Sequence, residues 1–161
     1  MKELTLNIES IEQMQQLAYD ITYLIYPSSV LALNGDLGAG KTTFTKGIGK
    51  ALGIKRVINS PTFTIMKVYE VTNKVNGIDM LYHLDVYRLE DSSSDFELEE
   101  YFYQNGLTVI EWATIIDDIL PSETMYIDIY RTGDMTRKVV LKNFSTEVLE
   151  KLGEKYEVIY G

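Results

Sequence analysis

Eight consecutive residues constrain this chain more than any other feature. Gly35-Asp36-Leu37-Gly38-Ala39-Gly40-Lys41-Thr42 fits the pattern G-x-x-x-x-G-K-[ST] in full. At average residue frequencies such a match arises by chance in about one chain in two hundred of this length, and the flanking residues lower those odds further. Val30-Leu31-Ala32-Leu33 is an apolar run without alternation, which reads as a parallel strand buried on both faces. Residues 42–52 read as a helix ended by Gly53. Strand, loop and helix in that order are what phosphate binding requires. Glycines let successive N–H groups turn inward and let a phosphate approach the backbone. The helix N-terminus adds its positive dipole end and its unpaired N–H groups. In such a loop Lys41 reaches the β- and γ-phosphates of a nucleotide and the Thr42 hydroxyl ligates Mg²⁺.

The rest of the chain alternates strand and helix signals. Residues 4–8 alternate apolar and polar, as a strand does. Ser10 and Gln13 have the spacing of a capping box, and an apolar stripe at helical spacing from Ile11 to Ile25 is stopped by Pro27. Strands are predicted over 63–71 and 78–87 around a turn at 73–77, forming a hairpin. Ser94 and Glu97 open a short helix ending at Gly106, residues 107–110 form a second buried strand, and 113–120 a helix stopped by Pro121. Strands at 125–130 and 137–142 and a helix over 145–152 closed by Gly153 complete the pattern. The expected fold class is α/β, a P-loop NTPase-like mixed sheet flanked by helices. A length of 161 residues fits a single domain over 1–161.

Composition narrows the function. The chain has no cysteine, so a disulfide framework, a zinc-thiolate site and a thiol nucleophile are excluded. No stretch approaches the roughly 20 apolar residues of a membrane helix, and the first residues lack the apolar core of a secretory signal. The expectation is a soluble, cytoplasmic protein with no membrane partner. Net charge is -9, from 15 basic and 24 acidic residues. Nucleic-acid binding depends on cations that neutralise phosphates, so any nucleic acid would be reached through another protein with a basic face. Solubility alone is the plainer meaning of that charge.

A P-loop site also needs a carboxylate to hold the magnesium shell or orient the attacking water. Asp85 follows Met80-Leu81-Tyr82-His83-Leu84, and Glu111 follows Leu107-Thr108-Val109-Ile110. An acid closing an apolar strand is awkward as decoration, because an unpaired buried charge is costly. The structural alternative is a salt bridge, for example with Arg88. His83, the only histidine, reads first as a hydrogen-bonded structural residue and second as a base. Trp112, the only tryptophan, directly follows Glu111 and is either core or a neighbour of the nucleotide. Ser60-Pro61-Thr62 is either an ordinary turn or a switch loop that meets the γ-phosphate.

Taken together, G-D-L-G-A-G-K-T at 35–42, S-P-T-F-T at 60–64, H-L-D-V-Y-R-L at 83–89 and E-W at 111–112 resemble the TsaE family, small bacterial ATPases needed to make threonylcarbamoyladenosine in tRNA. Order and spacing agree from about Ile8 to Tyr130. The resemblance implies that Asp85 is the acid required for hydrolysis, that Thr42 and Glu111 ligate magnesium, that Trp112 lies by the nucleotide, and that the 60–62 loop is a switch. Lys41, Asp85 and Thr62 are thus the expected catalytic residues. The expected nucleotide-binding set is Ile11, Gly35, Asp36, Leu37, Gly38, Ala39, Gly40, Lys41, Thr42, Thr43 and Trp112, with the adenine near Ile11. The implied cofactors are ATP and Mg²⁺. The implied partners are the TsaD and TsaB proteins, with tRNA met only indirectly. Residues after Tyr130 match little and carry no assignment. Two other classes stay open: a small-molecule P-loop kinase and a nucleotide-gated binding module with little hydrolysis. A kinase needs arginines on a mobile lid, whereas only four arginines occur, at 56, 88, 131 and 137.

Overall fold

The computed structural model describes residues 3–36, 38–59, 66–86, 105–111 and 120–160. Eight strands form one sheet: β1 (Glu3–Ile8), β2 (Val30–Asn34), β3 (Met66–Glu70), β4 (Met80–Asp85), β5 (Leu107–Glu111), β6 (Met125–Arg131), β7 (Arg137–Lys142) and β8 (Glu157–Val158). Their order across the sheet is β3-β4-β5-β2-β6-β7-β1-β8. The middle four, β4-β5-β2-β6, run parallel, while β3, β7, β1 and β8 join their neighbours antiparallel. The fold is therefore the expected P-loop NTPase-like mixed α/β sheet.

Burial explains the parallel centre. Val30, Leu31, Ala32 and Leu33 of β2 and every residue of β5 are buried. Two-sided burial removes the alternation seen in β1, whose pattern changes from exposed to buried along its length. Each such aliphatic side chain contributes about 1.5–3 kcal/mol relative to an exposed position, so the strands that carry the phosphate loop and Glu111 are the most firmly held part of the sheet.

Three described helices complete the fold: α1 (Ile11–Thr22), α2 (Lys41–Ala51) and α3 (Thr146–Lys155). Ser10 caps α1, its Oγ accepting from the Gln13 N–H at 3.0 Å. The reciprocal arm differs from the expected box: Gln13 Oε1 accepts from the N–H of Glu9, not of Ser10, at 2.7 Å. The helix also stops before the apolar stripe does. The Asn76 side chain, from a 3₁₀ turn at Val75–Gly77, donates to the carbonyls of Tyr23 and Ile25 at 3.1 and 2.8 Å. Those carbonyls are thereby satisfied outside the helix, while Ile25 still enters the core.

Three boundaries depart from the sequence reading. Strand β3 ends at Glu70 and β4 begins at Met80, because the N–H groups of Thr72 and Asn73 both donate to the Leu52 carbonyl and draw the connection onto the end of α2. Helix α3 runs through Gly153 to Lys155. Its last turn is pinned by the buried Tyr156, whose hydroxyl donates to Asp20 at 2.5 Å, and by Lys155, 2.8 Å from the same carboxylate. Strand β8 carries no sequence signal; its two residues pair with Leu6 and Asn7 of β1. The helices expected over 94–106 and 113–120 fall outside the described residues, apart from their last positions.

The Asp20 cluster joins α1 to the end of α3. Burial pushes the Asp20 carboxyl up, but hydrogen bonds from Lys155, Tyr156 and Gln16 outweigh it and hold the group below its ordinary value. A carboxylate lowered in the folded state contributes stability above its unfolded value, and that contribution disappears as pH falls through the folded value. Asp20→Asn is therefore expected to lower stability by about 1 kcal/mol at pH 7. The gap between variant and parent in chemical denaturation should close as pH drops below the ordinary carboxylate range; a gap independent of pH would contradict this account.

Candidate active site

The parallel register sets three chain segments side by side at the carboxyl ends of the strands, where open α/β sheets bind ligands. Asp85, the last residue of β4, pairs in register with Glu111, the last of β5, and Glu111 with Leu33 of β2. From there β2 runs through Asn34 into the phosphate loop. The loop leaves the sheet at Gly35, where an added Cβ would lie 2.7 Å from the Ile129 carbonyl oxygen of β6, well inside contact distance. It enters α2 at Gly40, which caps the helix at φ 123, a backbone conformation that residues with a Cβ rarely adopt. Helix α2 has no acidic residue in its first turn and no side-chain cap, which leaves its N-terminal dipole to an anion.

Lys41 is buried, and its Nζ donates to the carbonyl of Gly35 at 2.5 Å. Burial pushes its ammonium below the ordinary lysine value, against the opposing fields of Glu111, Asp85 and Asp36. One ammonium thus faces three carboxylates. A divalent cation would offset the charge of a triphosphate added to that distribution. The donors present suit magnesium: a threonine hydroxyl at 42 and carboxylates at 85 and 111 are hard oxygen ligands. Among the described residues no cluster of three or more acidic, histidine or cysteine groups forms a cation cage. Thr42, at the first turn of α2, would hold the ion together with Glu111.

Among the described residues, a further carboxylate at this sheet end is committed elsewhere. Asp128 of β6 accepts from the Asn34 amide at 3.1 Å and pairs with Lys142 at 3.0 Å.

A second group of residues reaches the loop from the other side. Arg137, the first residue of β7, donates from Nε to the Ala39 carbonyl at 2.6 Å and from Nη2 to that of Gly38 at 3.4 Å. Its Nη1 donates to the carbonyls of Gly133 and Thr136 at 3.0 and 2.8 Å. The guanidinium brackets the phosphate loop to the β6–β7 turn. A planar five-donor fork suits this task, and it holds loop carbonyls outward, leaving N–H groups for the phosphate side. Beside it lies a narrow cleft lined by Ile11, Met14, Gly40, Thr43, Met135 and Arg137. Ile11 and Met135 are both half exposed. The structure thus places Ile11 next to the phosphate loop. Arg137 and Met135 were missed by the sequence reading, which assigned nothing beyond Tyr130. The only available signal was an arginine opening a strand after a glycine turn, and nothing in that pattern points across 98 positions to Ala39. Leu37, Thr62 and Trp112 lie outside the described residues.

The other described arginines are also engaged. Arg56 stacks over the Tyr69 ring at 5.2 Å and donates to the Val68 carbonyl at 3.5 Å, at the β3 edge of the sheet. Arg131 donates to the Gly133 carbonyl in its own turn.

A buried strand, a glycine loop, an invading lysine and a helix N-terminus define a protein of P-loop NTPase-like fold. Residues 8–139 match the family described as threonylcarbamoyl adenosine biosynthesis protein TsaE. The tRNA threonylcarbamoyladenosine biosynthesis protein TsaE of Bacillus subtilis is 43% identical over 159 residues, covering 99% of this chain and 92% of that protein. Its counterpart in Treponema pallidum is 39% identical over 120 residues, 73% of this chain and 84% of that one. The crystal structure of YdiB from Bacillus subtilis superposes with a TM-score of 0.77 at 38% identity, covering 95% of each chain. This chain belongs to the TsaE family.

Lysine can replace the charge of Arg137 but not its fork. Arg137→Lys is expected to weaken Mg-ADP binding about tenfold, a loss of about 1.4 kcal/mol, measured by calorimetry. Unchanged affinity would mean that the bracket does not shape the loop.

Proposed function

We propose that this chain binds and hydrolyses Mg-ATP as the ATPase that works with the TsaB and TsaD proteins in forming threonylcarbamoyladenosine in tRNA. The observation that carries the reading is the convergence of Asp85 and Glu111 on the buried Lys41 ammonium at the phosphate loop. The names of its relatives supply the pathway. The acidic charge of the chain supports a tRNA held by the partners rather than by this protein, in the cytoplasm. Among the described residues no helix is long and apolar enough to cross a membrane.

In this reading Lys41 releases the Gly35 carbonyl and turns to the β- and γ-phosphates. The loop amides and the α2 N-terminus hold the same groups, and Ile11 and Met135 provide an apolar seat for the base. Bound magnesium would neutralise charge on the β- and γ-phosphate oxygens. Thr42 and Glu111 would hold its shell. Asp85 orients the attacking water, and Thr62 and Trp112 take the switch and nucleotide-neighbour roles that the family resemblance implies. Phosphoryl transfer also gains from positive charge near the γ-phosphate. With Arg56, Arg131 and Arg137 engaged elsewhere, an arginine on a partner or Arg88 is left to supply it. That arrangement favours a partner-stimulated ATPase over a kinase with its own arginine lid.

Phosphate release at fixed Mg-ATP tests this: slow for the chain alone, faster with TsaB and TsaD together. Full activity alone, unchanged by both partners, would refute partner activation. Lys41→Ala is expected to abolish hydrolysis by the assembled complex, since several kcal/mol of phosphate stabilisation disappear. Asp85→Ala should bind ATP nearly as well as the parent and hydrolyse it poorly, because an interaction made in the transition state is removed. Collapse of affinity with unchanged turnover of bound ATP would show the opposite role.

A further inference from the structure

His83 lies on β4 two residues before Asp85, so the two share a face of that strand. It is wholly buried, as is nearly all of Glu111, and its Nε2 lies 2.7 Å from Glu111 Oε2. If Glu111 is the carboxylate, which only accepts hydrogen bonds, Nε2 is the donor of this contact. Nδ1 is buried and has no hydrogen-bond partner among the described residues, so nothing draws the proton to the other nitrogen. Full burial sets His83 away from solvent. The register pairs, His83 with Val109 and, two positions on, Asp85 with Glu111, put the imidazole two residues deeper in the sheet than the two acids.

We infer that His83 is a positioning residue for Glu111: it occupies one carboxylate oxygen and holds the rotamer, so that the other oxygen is presented to the magnesium shell of the bound nucleotide. The inference rests on the Mg-nucleotide reading above and adds a residue to it. A free glutamate side chain loses rotamer entropy when it takes up a ligand. A rigid imidazole donor fixed in a parallel strand imposes that order in advance, and it orients the carboxylate as outer-shell groups orient metal ligands in general. The contact also compensates the burial of Glu111, which lies in the field of Lys41.

The test uses the full chain and three variants: His83→Leu, which removes the donor, His83→Gln, whose amide nitrogen can stand where Nε2 stands, and His83→Asn, whose amide is too short. Calorimetry measures ADP binding in EDTA and across a Mg²⁺ titration, with thermal unfolding as the check on folding. His83→Leu should bind metal-free ADP like the parent while the Mg²⁺ concentration for half-maximal enhancement rises about tenfold or more. His83→Gln should recover most of that loss. Equal Mg²⁺ midpoints in parent and His83→Leu would overturn the inference, as would equal losses with and without Mg²⁺, or a His83→Gln variant no better than His83→Leu. If His83→Leu does not fold, His83→Asn takes its place with the same expected outcomes. A parent chain that binds ADP under neither condition would instead overturn the nucleotide reading itself.

Discussion

The ammonium of Lys41 is buried against the Gly35 carbonyl and lies in the fields of Glu111, Asp85 and Asp36. A buried cation is tolerated only where acceptors and counter-charges are held in place around it, and most of the architecture serves that requirement. Helix α2 aims the lysine back over the loop. Strand β2 delivers the carbonyl, and β4 and β5 bring two acids into register beside it. The fields of these carboxylates favour the charged form of the lysine against its burial.

This arrangement depends on a parallel sheet centre whose strands are buried on both faces. Residues entering the ends of such strands have little freedom to move, because each neighbour fixes them through the backbone ladder and through packing. The buried His83–Glu111 contact is a consequence of that rigidity: two polar side chains inside an apolar block have no solvent to turn to and must satisfy each other.

The antiparallel half of the sheet has its own part in the site. The β6–β7 turn brings Arg137 to the carbonyls of Gly38 and Ala39 and Met135 to the cleft beside Ile11. The end of the chain, through Lys155, Tyr156 and β8, ties α3 to α1 and β1. The family match runs to residue 139, which includes Arg137 and the turn before it. The last helix lies beyond that span, where its described contacts are to the scaffold.

Much of this was legible before any coordinates. The run 35–42 with its flanks specified a phosphate loop between a buried strand and a helix, because glycine, lysine and dipole must occur in that local order for the chemistry to exist. The apolar run 107–110 specified a buried strand ending in an acid, and Ser10 a helix start, since capping is a local bond. The sequence was silent where partners are far apart along the chain. Nothing local to His83 says that its neighbour is Glu111, 28 positions on, nor local to Arg137 that its acceptors are Gly38 and Ala39. Helix ends were decided the same way: Asn76 takes the carbonyls beyond Thr22, and the Asp20 cluster carries α3 past Gly153. Local propensity chooses elements through bonds within a few residues, whereas strand order and register choose which side chains meet, and only the packed sheet contains that information.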